Sequence, residues 1–127
     1  MSSVLLMVGQ CGNQIGHDLM KLIDSTTDSH PLTHRDGKIR CVCVDSEPKV
    51  IKANIADDRK RGQLYRDDNV VIDQRGRGNN WALGYHGLLG QETKETSLLH
   101  RTLSVLRKEV ERCDRFEGEA VAFFIVK

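Results

Sequence analysis

Two apolar rhythms alternate along this chain. Residues 4–8 form an unbroken apolar run, which suits a strand buried on both faces. Ile15, Leu19, Leu22 and Ile23 then recur at helical spacing and predict a helix packed through those four side chains. Polar residues 24–38, with Pro31 and Gly37, predict a loop. A second run, 39–44, predicts a second strand that enters the acidic Asp45-Ser46-Glu47. Pro48 suits the first turn of a short helix over 49–56, which the charged residues 57–63 should end. Residues 70–72 predict a third strand, followed by a turn-rich stretch over 74–80. Between 92 and 113, Leu99, Leu103, Leu106, Val110 and Cys113 recur at steps of 4, 3, 4 and 3, the best helical stripe in the chain. Residues 114–119 should turn the chain, and 120–126 give a last buried strand.

Strands alternating with helices imply right-handed crossovers and an α/β fold, an open and mainly parallel Rossmann-like sheet. Such sheets bind ligands just beyond the carboxyl ends of their strands. The last apolar strand is followed by Lys127 alone, so the loop expected after it is missing and a truncated domain is expected.

Composition narrows the function classes. A chain of 127 residues makes one small domain or a piece of a larger one. Lys+Arg 19 against Asp+Glu 18 gives a net charge of +1, so bulk charge argues for neither nucleic acid nor an anionic membrane as partner. The apolar start is too short for a signal core or a membrane span. Cys11, Cys41, Cys43 and Cys113 lack the density of a disulfide framework, and a reduced, cytosolic location is expected. Cys41 and Cys43 with His30 and His34 could form a zinc site, but the spacing matches no usual ligand pairing and small buried hydrophobes are the expected role. The basic run Arg59-Lys60-Arg61 beside Asp57 and Asp58 is expected to be a solvated face.

Three segments fall at predicted strand ends. Gly9-Gln10-Cys11-Gly12-Asn13-Gln14-Ile15-Gly16 reads as a glycine-rich loop into a helix N-terminus, where free N–H groups suit phosphate. It is neither the dinucleotide fingerprint nor a Walker A loop, and a plain strand–helix turn is the alternative. Asp45 and Glu47 could hold Mg²⁺ through hard oxygen ligands, or merely cap the following helix. In Gly76-Arg77-Gly78-Asn79-Asn80-Trp81, backbone amides and Asn side chains could reach phosphate oxygens with Arg77 adding charge; an ordinary Gly-Asn turn is the alternative.

Taken together, the three segments resemble the tubulin family. The first matches the tubulins' first nucleotide loop residue for residue. Val44-Asp45-Ser46-Glu47-Pro48 resembles their Val-Asp-Leu-Glu-Pro, and Gly76-Arg77-Gly78-Asn79-Asn80-Trp81-Ala82 resembles their Gly-Ala-Gly-Asn-Asn-Trp-Ala. Residues 45–51 and 107–116 look most like the delta subfamily. The resemblance implies that residues 1–127 are the first, incomplete part of a tubulin-type GTPase domain, with GTP and Mg²⁺ as cofactors. Gln10, Cys11 and Gly12 would contact the nucleotide, Gln10 near the phosphates and magnesium, with Gln14 near the base or ribose. Asp45 and Glu47 would serve the magnesium-bearing end, Glu47 as the metal residue through water, and Gly78 and Asn79 the terminal phosphates.

The same resemblance implies a cytoskeletal protein of the cytoplasm that organises microtubules, cilia, centrioles or basal bodies. Its partners would be other tubulin subunits or centriolar proteins. Hydrolysis in this family needs a neighbouring subunit, so no catalytic residue is named. Three departures stand out. The stretch between the first helix and second strand is shorter than in alpha- and beta-tubulin, Arg77 replaces a small residue, and the glycine-rich phosphate loop after the last strand is absent. A truncated product without useful nucleotide binding is the alternative.

Overall fold

The computed structural model describes residues 2–24, 30–78, 80–86, 97–113 and 116–124, with Trp81 and residues 116–124 described by backbone alone. Among these, four parallel strands form one sheet in the order β3-β2-β1-β4, where β1 is Ser2–Val8, β2 Cys41–Asp45, β3 Val70–Ile72 and β4 Phe116–Phe124. Helices α1 (Gly9–Asp24), α2 (Lys49–Arg61), α3 (Trp81–His86) and α4 (Leu98–Glu111) follow the first three strands. This is the open parallel α/β sheet that the alternating pattern predicts.

Because strand side chains alternate faces, β2 feeds two cores. Cys41 and Cys43 join Leu5, Met7, Met20, Ile51 and Tyr65 on the α1–α2 side. Val42 and Val44 join Val4 and Val71 on the α4 side. The Cys41 thiol hydrogen-bonds Cys43 and is buried, which pushes its pKa well up; both cysteines behave as small hydrophobes.

Each long helix packs through part of its predicted face: Leu19 and Ile23 of α1, and Leu106 and Val110 of α4 with Cys113 just beyond it, meet the cores, while the rest of each stripe turns outward. Ile15 and Leu22 of α1 are 42% and 66% exposed, and Leu99 and Leu103 of α4 are 70% and 54% exposed. The buried side of α1 is Gly12, Asn13, Gly16, His17, Met20 and Ile23. Gly16 permits the close approach: a Cβ there would lie 2.0 Å from Met7 Sδ. A Gly16→Ala variant is therefore expected to lose about 2 kcal/mol through overpacking. A double-mutant cycle with Met7→Ala, followed by thermal unfolding, should show strong coupling between the two sites. Additive losses would show that the helix does not rest on Met7.

The charged residues after 56 continue α2 rather than ending it, because they have specific inward and outward partners. Asp58 is buried, and its carboxylate accepts the backbone N–H of Leu64 at 2.9 Å and of Tyr65 at 3.0 Å. His17 bridges two partners, its Nε2 lying 3.0 Å from Asp57 Oδ2 and its Nδ1 2.9 Å from the Tyr65 hydroxyl. Arg59, Lys60 and Arg61 lie exposed in the last turn, where cations suit the helix dipole. Gly62, at φ 145°, then ends the helix.

A polar knot fastens α4. Fully buried Glu109 lies 2.5 Å from His34 Nε2, accepts from Asn69 Nδ2 at 2.8 Å and from Arg112 at 3.1 Å. Asn69 also donates to the Cys41 carbonyl, and Arg112 reaches Asp68, whose carboxyl it holds below the usual range. His34 is thus engaged by a carboxylate on the α4 side, and His30 Nδ1 accepts the Leu32 N–H, so the zinc alternative finds these two groups otherwise occupied. β4 begins at Phe116, inside the stretch predicted to turn, and residues 125–126 of the predicted strand lie outside the described residues.

Candidate nucleotide site

β1 passes into α1 without an intervening loop. Gly9 is the first helical residue and carries φ 73°, a left-handed conformation that a side chain makes costly; nothing lies within 4 Å of its notional Cβ, so the demand is conformational rather than spatial. The glycine-rich segment is accordingly helix, not a loop. Gln10, Cys11, Gly12 and Gln14 all lie in the opening turns of α1, off the carboxyl end of the central strand. Gln10 and Gln14 are exposed, Cys11 half-buried and Gly12 buried. The first turn carries no acidic residue, so the helix N-terminus keeps its positive end free of a competing carboxylate.

Asn13 joins this turn to the next strand. Its Nδ2 donates to the carbonyls of Gly9 at 2.7 Å and Val44 at 3.0 Å, while its own carbonyl accepts from Asn54 Nδ2 at 3.0 Å. Asn13 Oδ1 is buried without a partner.

Asp45 closes β2, and its Oδ1 accepts the Glu47 N–H at 3.0 Å, bending the chain into α2. Burial pushes the Asp45 carboxyl up, the backbone N–H of Glu47 pulls against it, and the Glu47 charge adds to the rise. A cation beside this pair would relieve both unfavourable effects. Glu47 is exposed and reaches the third segment: a Cβ on Gly76 would stand 2.5 Å from Glu47 Oε1.

The third segment leaves β3 beside the second. Asp73 N–H donates to the Asp45 carbonyl at 3.0 Å, extending the ladder by one residue. Arg77 turns back to Asp73 Oδ2 at 2.8 Å and to the Arg75 carbonyl at 3.0 Å, so its charge serves the segment's own fold instead of standing free. Burial pushes the Asp73 carboxyl up, but the Gln74 N–H and Arg77 outweigh it and hold the carboxyl below its usual range. Gly78 is exposed at φ 58°. Asn80 is the N-cap of α3, its Oδ1 accepting from Ala82 N at 3.0 Å and Leu83 N at 3.3 Å, a local role rather than the ligand contact considered for it. Asn79 lies outside the described residues.

The fold therefore gathers Gln10, Cys11, Gly12 and Gln14, then Asp45 and Glu47, then Gly78, at the carboxyl ends of three adjacent strands. Two contributors escaped the sequence reading. Gly76 spaces the third segment from Glu47, and Asn13 sits inside the glycine-rich motif at one helical turn from Gly9, a spacing that could have flagged it. Among the described residues no three His, Cys, Asp or Glu side chains gather around a metal position, and no helix is long and apolar enough to cross a membrane.

Comparison with known proteins shows the family of the chain. Residues 2–126 match the family model described as the Tubulin/FtsZ family, GTPase domain. The chain is 33% identical to the human tubulin delta chain over 99% of its own length and 31% of that protein. It is 34% identical to a tubulin beta chain of Trichophyton rubrum over 91% of its length, and 32% identical to the tubulin beta-1 chain of Chondrus crispus over 92%, in each case 29% of the relative. The chain thus spans about a third of these relatives' length, and it belongs to the tubulin/FtsZ family, within the GTPase domain.

Proposed function

We propose that residues 1–127 build the N-terminal part of a GTP site in a delta-type tubulin that organises microtubules or centrioles and basal bodies. The observation that carries the reading is the meeting of three strand-end segments, with Glu47 against Gly76 and the acid-free N-terminus of α1 beside them. The residues fit the ligand chemically. An open helix N-terminus suits phosphate, and Glu47 next to an uncomfortable Asp45 suits a cation shared with phosphate oxygens and water rather than an all-protein cage. In this reading Gln10, Cys11 and Gly12 would contact the nucleotide, Gln14 its base or ribose, and Gly78 with Asn79 its terminal phosphates. Bound Mg²⁺ would neutralise phosphate charge, with Glu47 as its protein anchor through water. Other tubulin subunits or centriolar proteins are the partners that fit, in the cytoplasm and cytoskeleton.

Equilibrium binding of GTP, GDP and ATP to the chain purified at its natural length tests this. GTP should bind in preference to ATP, and Gln10→Ala should weaken it about tenfold by removing a hydrogen bond to a charged ligand. Glu47→Gln should remove most of the gain that Mg²⁺ brings. Equal affinity for ATP and GTP, or no loss in Gln10→Ala, would refute the assignment.

A further inference from the structure

We infer that Asn13 is a positioning residue for the phosphate end of this site, tying the first nucleotide segment to the second; the inference rests on the GTP reading above. Asn13 occupies a helix-interior position where asparagine is a poor helix former, and it is almost wholly buried. Its Oδ1 has no donor, a cost that an alanine would avoid. Residues that break local rules in this way belong where geometry matters more than stability.

The geometry is specific. The two acceptors of Nδ2 immediately precede the segments that matter: Gly9 leads into Gln10, Cys11 and Gly12, and Val44 leads into Asp45. Both carbonyl partners require an N–H donor, which orients the amide and places Nδ2 toward them. Val8 and Val44 are already paired in register in the sheet, but that pairing stops at the strand end. The Asn13 amide carries the tie one helical turn further, into the part of α1 whose N–H groups would meet phosphate. A triphosphate that must touch Gln10 and a Glu47-held cation at once needs this separation fixed to within about half an ångström. Guanosine, which lacks the phosphates, does not.

The test uses the natural-length chain with three variants. Asn13→Ala removes both donations. Asn13→Ser keeps a hydroxyl able to bond Gly9 one turn back, but too short to reach Val44. Asn54→Ala loosens α1 from α2 and leaves both Asn13 donations intact. With Mg²⁺ present, Asn13→Ala and Asn13→Ser should each weaken GTP about tenfold while guanosine affinity changes less than about twofold. Asn54→Ala should lower the thermal midpoint yet keep GTP affinity. Wild-type GTP affinity in Asn13→Ser, or an equal loss in Asn54→Ala, would overturn the positioning role by showing that the Val44 tie is dispensable or that general loosening suffices. Parallel losses for guanosine would overturn it too. Failure of the unmodified chain to bind GTP is a separate result, which removes the GTP reading and this inference with it.

Discussion

Glu109→Ala should destabilise the chain by about 3–5 kcal/mol, because it leaves buried partners of a carboxylate uncompensated. His34, Asn69 and Arg112 all direct donors at this one fully buried side chain. Removing it strands a buried imidazole and a buried amide, and frees Arg112 from one of its anchors. The effect should be transmitted widely, since the knot joins the 30–40 segment, the turn before β3 and α4. Urea unfolding should show a lower midpoint with an unchanged slope. An apolar replacement of the pair is the instructive companion: Glu109→Leu with His34→Leu should recover part of the loss, since replacing both partners of a buried hydrogen bond by apolar groups is often nearly neutral. A loss below about 1 kcal/mol in Glu109→Ala would show that the surrounding donors find water instead.

Asp58→Ala should cost about 3 kcal/mol, from two backbone donors left without a charged acceptor. The carboxylate receives Leu64 and Tyr65 N–H groups, and the Asp58 carbonyl receives those of Gly62 and Gln63. One residue therefore terminates α2 and folds the following turn back so that Tyr65 enters the core against His17. Asp58→Asn keeps a single accepting oxygen and should lose roughly half as much. Equal losses in the two variants would mean that the negative charge, not the pair of bonds, matters. Near-ultraviolet circular dichroism reports whether Tyr65 leaves its buried setting.

The strands were legible because burial on both faces demands continuous apolar runs, which residues 4–8 and 41–44 supply. The three site segments were legible because Gly9 to Gly16 is a specific pattern, and because parallel topology leaves strand ends at one edge. The helix faces were legible only in part: Leu19, Ile23, Leu106, Val110 and Cys113 do meet the cores. Counting apolar residues selected Ile15, Leu22, Leu99 and Leu103, which point outward, and passed over Gly12, Gly16, Thr102 and Glu109, which point inward. A helix brought close to a sheet by glycines contributes little apolar signal on its packed side. A buried acid matched by donors distant in sequence contributes none. Glu117, Gly118 and Glu119 likewise have the composition of a turn, yet they lie within β4, at the irregularity of its ladder with β1 between the Ser2–Phe116 and Val4–Ala120 pairs.

The place of β1 in the sheet has a consequence for biosynthesis. One edge of β1 can pair with β2 soon after Asp45 is made, but the other waits for β4, whose first partner is Phe116. Residues 46–115 must be polymerised in between, on the order of 10 s at ordinary translation rates. For that interval the nascent chain carries an apolar strand with an open row of backbone hydrogen-bonding groups, the kind of edge that recruits other chains. Slow codons or a pause within 46–115 should lengthen this vulnerable stage, and a chaperone that shields strand edges should matter most before β4 leaves the ribosome.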